Sequence, residues 1–104
     1  MKFPVGKYRF DGPISSPDQM EDKPGLFVVY CLKHRGYYII DVDESDKVKS
    51  SAQNHERLEC WKENSKEGII TFAVYYTPNL DKEGRKKMEE EIRDGDVFVP
   101  CGPK

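Results

Sequence analysis

Gly25-Leu-Phe-Val-Val-Tyr-Cys-Leu32, then Lys33-His-Arg-Gly36, then Tyr37-Tyr-Ile-Ile-Asp-Val-Asp43 is the stretch that decides the fold. The first run is almost wholly apolar, rich in β-favouring residues and too short to span a membrane. It follows Pro24-Gly25, a chain breaker. These features predict a strand buried on both faces near the middle of a sheet. The second run is also β-rich, with acids entering at its end. The polar tetrapeptide between them, with its glycine, reads as a hairpin loop.

Working outward, Ile69-Ile-Thr-Phe-Ala-Val-Tyr-Tyr76 is a further strand, apolar on both faces and expected beside the first. Between hairpin and strand lie two short helical patterns. One starts at Lys47, with Ser45 or Asp46 as its cap and Val48 and Ala52 on one face. The other covers Glu56 to Glu63, with Leu58 and Trp61 inward. A last helix runs from Leu80 or Asp81 to Arg93, where Leu80, Gly84, Met88 and Ile92 form a four-residue stripe. Gly84 would let a strand approach. Asp94-Gly95-Asp96 stops it, and Val97-Phe98-Val99 is an extended tail. Residues 1–24 carry Pro4, Gly6, Gly12, Pro13, Pro17 and Pro24, too many breakers for a long regular element. They read as an ordered arm pinned by Val5, Tyr8 and Phe10, with one helical turn capped by Ser16. The expected architecture is a small α/β (α+β) domain over 25–104, its mostly antiparallel sheet three-stranded and flanked by helices.

Composition narrows the function. The chain has 104 residues, 35% charged and 37% hydrophobic, which fits one well-hydrated domain with a modest core. Its net charge of -2 supplies no global field for a polyanion, so nucleic-acid binding would need a local patch. Cys31, Cys60 and Cys101 are odd in number and widely spaced. That argues against a disulfide framework or a zinc knuckle and makes a reducing cytoplasm the default compartment. No signal segment and no membrane span is expected.

The hairpin, the turn Glu44-Ser45-Asp46 and the helical Lys47-Val48-Lys49 resemble, in order and spacing, the GIY-YIG nuclease-like superfamily. Met88-Glu89-Glu90-Glu91-Ile92-Arg93 and Pro100-Cys101-Gly102 resemble that family's glutamate helix and proline-containing tail. The likeness spans about Gly25 to Gly102. It implies phosphodiester hydrolysis by motif tyrosines, an arginine and a glutamate-held divalent metal, with DNA as substrate. The matched positions depart from that set. Phe27 stands at the first-motif tyrosine, Asp41 at the second, Asp43 at the glycine and Ser51 at the arginine. A serine cannot stabilise a doubly charged transition state as a guanidinium does. Only Glu89 remains, as the position for magnesium or manganese if the domain is active. Tyr30, Tyr37 or Tyr38 would have to replace the hydroxyl, and Arg57 or Lys49 the cation.

Each candidate has a plainer reading. Glu89 lies four residues from both Arg85 and Arg93 and could simply form surface ion pairs. Phe27 reads as core, Ser51 as an exposed helix residue and Trp61 as core rather than a base-stacking platform. His55 is a general base only if free. A histidine at a helix end is more often a cap or a packed side chain. Asp41, Asp43, Glu44 and Asp46 could hold a hard cation, but a solvated strand end before a helix expects such acids too. Arg85-Lys86-Lys87 is offset by Glu89-Glu90-Glu91 and reads as a solvated face. Three functions remain. The domain is a catalytically impaired relative kept for nucleic-acid binding or assembly, a working metal-dependent endonuclease using Glu89 and His55, or a protein-interaction module.

Overall fold

A computed structural model of the chain describes residues 2–95 and 98–102. Its elements are β1 (Lys2–Val5), β2 (Tyr8–Ile14), β3 (Gly25–Lys33), β4 (Gly36–Ser45), α1 (Val48–Gln53), α2 (Leu58–Glu63), β5 (Ile69–Tyr76) and α3 (Lys82–Arg93). A short 3-10 turn covers Pro17–Gln19, where Ser16 and Gln19 form a capping box as the Ser-Pro start suggests. The sheet is antiparallel with the order β1-β2-β5-β3-β4.

β3 pairs with β4 on one side and with β5 on the other, as its unbroken apolar run requires. At Gly25 the β5 backbone leaves no room for a side chain. A Cβ there would collide with the Tyr75 carbonyl and lie 3.0 Å from the Tyr76 Cα.

The expected sheet of three strands is too small. Despite its breakers, the N-terminal segment supplies two more: Pro4 lies within the edge strand β1, and Gly12-Pro13 lies within β2 where its register with β5 shifts. Gly6 turns the β1–β2 hairpin at positive φ, and Asp11 and Ile14 of β2 pair with Val74 and Phe72 of β5. The sheet then curls until its two edges approach. Phe3 of β1 stacks on Tyr30 of β3, 4.3 Å between rings, and meets the Tyr37 ring of β4 edge-on. Inside the curl Phe10, Leu26, Val28, Tyr30 and Val42 pack against Met88 and Ile92 of α3. Outside it Phe27, Val29 and Phe72 pack against Val48, Ala52 and Trp61 of α1 and α2.

Several local expectations change. Neither Ser45 nor Asp46 caps α1. The Ser45 hydroxyl instead accepts from the Lys47 amide in the turn before it. Leu58 is exposed rather than inward, because α2 begins there and leaves it at the mouth of a surface groove, while Trp61 is buried. The α3 stripe holds at Met88 and Ile92 but not at Leu80, which precedes the Asp81 cap and is exposed. Gly84 serves that cap, its amide donating to Asp81 Oδ1 at 2.8 Å, and admits no strand. Arg85 is not on a solvated face: it is buried and donates to the buried Glu44 at 2.9 Å. Val99 packs on the inner layer, whereas Asp96 and Val97 lie outside the described residues. Among the described residues no helix is long and apolar enough to cross a membrane.

Candidate functional site

Asp41 is the centre of the polar chemistry. Val29 pairs with Asp41 and Tyr30 with Ile39, so Ile40 is the extra residue of a bulge in β4. Such a bulge re-aims the side chains around it. The Asp41 side chain is fully buried, a position a carboxylate can hold only with several donors around it. It has them. Arg57 donates from Nε at 2.8 Å and Nη2 at 3.2 Å, Arg93 from Nη2 at 2.8 Å, and Trp61 from Nε1 at 2.8 Å. The Val42 amide adds a fifth bond at 2.8 Å.

Asp43, two residues on and on the same face, lies opposite Phe27 in the ladder. Its Oδ2 is 2.6 Å from His55 Nε2 and 3.5 Å from Arg57 Nη2. His55 Nδ1 accepts from the Arg57 amide at 3.1 Å, which leaves Nε2 to carry the hydrogen towards Asp43. Both ring nitrogens are therefore occupied, and the ring stacks on Trp61. Burial alone would push the Asp43 carboxyl up, but the His55 hydrogen bond and the Arg57 charge together hold it below the usual carboxylate range.

Glu89 and Arg93 reach the cluster around the outer edge of β4. Arg93 Nε donates to Glu89 Oε2 at 3.0 Å, its Nη1 to the Cys101 carbonyl at 2.9 Å, and its Nη2 also to the Val42 carbonyl. Gly102, at positive φ, leaves room for that guanidinium, which a Cβ would strike. Glu89 is buried, so the expected surface pairing with Arg85 or Arg93 is a buried pair with Arg93 alone, and Arg85 serves Glu44. Burial raises the Glu89 carboxyl above its ordinary value, Asp43 adds to this, and Arg93 only partly offsets it.

A divalent cation does not fit this donor set. Glu89 offers one orphaned buried oxygen, Oε1, beside a guanidinium, and no three His, Cys, Asp or Glu side chains among the described residues converge as metal ligands. Asp41, Asp43 and Glu44 do not form a solvated strand end either. Asp41 and Glu44 are buried on opposite faces and Asp43 is half-buried, so only Asp46 is exposed. Phe27 is fully buried against His55 and Trp61, and Ser51 lies on α1 outside the network.

Contrary to the expectation of unpaired cysteines, Cys60 and Cys101 form a disulfide and leave Cys31 buried and free. Spacing in sequence hid the pair. The C-terminal segment lies along β4, where the Cys101 amide donates to the Ile40 carbonyl at 2.9 Å, and this brings Cys101 against α2. The odd cysteine count therefore no longer argues for a reducing compartment. The bond closes a loop of sequence separation 41, so its reduction is expected to lower stability by about 2–4 kcal/mol. Urea melts with and without dithiothreitol measure this, and coincident midpoints would show that the bridge constrains nothing.

Fold and site together define a small α+β domain whose buried carboxylate–guanidinium cluster closes the outer edge of a curled antiparallel sheet. No protein-family model, curated protein or solved structure matches the chain.

Proposed function

We propose that the chain is a GIY-YIG nuclease-like domain without hydrolytic activity that binds nucleic acid rather than cutting it. The resemblance in order and spacing from Gly25 to Gly102 supports the family reading. One observation carries the loss of activity: the guanidiniums of Arg57 and Arg93 are both spent on Asp41, at the position matched to a motif tyrosine. A cation neutralised by a buried carboxylate is a poor partner for a phosphoryl group. His55 has no free nitrogen for a water, and Phe27 has no hydroxyl.

Removing one preorganised charge-stabilising donor costs about a hundred- to a thousand-fold in rate. The protein is expected to show no plasmid nicking above background with magnesium or manganese, yet to give a salt-sensitive gel shift. Nicking that survives repurification and disappears in Glu89→Ala would make it a metal-dependent endonuclease instead. Failure to shift any nucleic acid at low salt would leave a protein-interaction module.

A further inference from the structure

The β3–β4 hairpin closes with Lys33 paired to Gly36, leaving His34 and Arg35 as a two-residue turn. Both have positive φ, 49° and 68°, while Gly36 does not. A turn of this kind favours Asn-Gly, because side chains at positive φ clash with their own backbone. Here it carries an imidazole and a guanidinium. Backbone held against its preference is a reason to ask what the side chains do there.

The same tip exposes aromatic surface. Tyr37 and Tyr38 are 49% and 51% accessible and Phe98 is 81% accessible. With Phe3, Pro4 and Lys33 they border a cleft where the two edges of the curled sheet approach. Tyr37 is braced edge-on against Phe3 and Tyr30, and Lys33 Nζ lies 5.5 Å from the Tyr38 ring centroid. None of the ion pairs among the described residues uses Lys33, His34 or Arg35. The tip is thus a local cationic patch on a chain of net charge -2.

From this juxtaposition of a basic turn with half-exposed tyrosines we infer a binding site for single-stranded nucleic acid, with Lys33 and Arg35 on phosphates and Tyr38 stacked on a base. Unpaired bases offer faces to aromatic rings, while the backbone supplies the charge the turn lacks. A duplex keeps its bases stacked internally and would gain only the phosphate contacts. The inference rests on the nucleic-acid reading above and gives it a surface, at the hairpin tip rather than at the Asp41 cluster.

The test is fluorescence anisotropy with a labelled oligodeoxythymidine of about twelve nucleotides, over a salt series, against a duplex of equal length. His34→Asn with Arg35→Gly supplies the residues the turn prefers, so it is expected to melt at or above the parent temperature. It should nonetheless bind more weakly, with the salt slope reduced by about 0.7 for the lost arginine. Tyr38→Ala should weaken single-strand binding roughly fivefold to a hundredfold and leave duplex binding unchanged. If the parent binds the oligonucleotide and both variants bind equally well, the tip is not the site and the functional reading stands. Duplex binding as tight as single-strand binding and equally sensitive to Tyr38→Ala would overturn the stacking role. A parent that binds neither probe removes the functional reading itself.

Discussion

Asp41→Ala is expected to destabilise the domain by about 3–5 kcal/mol, a large fraction of what a domain of this size possesses. The substitution leaves the Arg57 and Arg93 guanidiniums, the Trp61 indole N–H and the Val42 amide without their shared acceptor. Removing one partner of a buried pair is costlier than the pair is worth, because an uncompensated charge stays behind. Asp43→Ala is the control. Asp43 is half-buried, and Arg57 keeps Asp41 when it goes, so a smaller loss is expected. Urea denaturation of the three proteins gives the comparison. A parent-like midpoint for Asp41→Ala would show that the cluster does not hold β4 to α2 and α3.

Met88→Asp is expected to be comparably severe, and Lys87→Asp near neutral. Met88 is buried on the inner layer beside Ile92, whereas Lys87 points to solvent one residue away. A carboxylate at Met88 would be desolvated with no donor provided for it, at a cost of several kcal/mol. Equal melting temperatures for the two variants would show that α3 does not pack through Met88.

Both predictions rest on features that differ in how well the sequence reveals them. Met88 and Ile92 were legible because helical spacing is a local property. The same logic recovers β3, β4 and β5, whose apolar runs need no partner to be recognised. It fails at Leu80 and Leu58, where the helix boundary falls so that the residue lies outside or at the lip of the packed face. It also fails for β1 and β2. There the breakers are local, while the pairing that anchors β2, and through it β1, comes from β5, far along the chain.

The Asp41 cluster was half legible. An acid between Ile40 and Val42 in a β-rich run is a signal, since a carboxylate in a buried strand must find donors. Its partners could not be read, because Arg57, Trp61 and Arg93 are assembled by tertiary packing. The disulfide was hidden for the same reason. At the hairpin tip the residues were visible but their conformation was not. The polar tetrapeptide Lys33 to Gly36 marks the turn, as expected, but does not reveal that its two central residues, His34 and Arg35, both take positive φ.

The pairing of β2 with β5 also sets an order of events during synthesis. The β1–β2 hairpin is made first, yet the strand that receives it is made only after α1 and α2. Until then the Tyr8–Ile14 strand carries an open hydrogen-bonding edge, which is the form of a strand most able to join a neighbouring chain. β3 and β4 can close on each other through a two-residue turn as soon as both exist. β2 and β3 therefore both keep an open edge until β5 is inserted between them, and contacts of such long sequence separation are the slow ones to form.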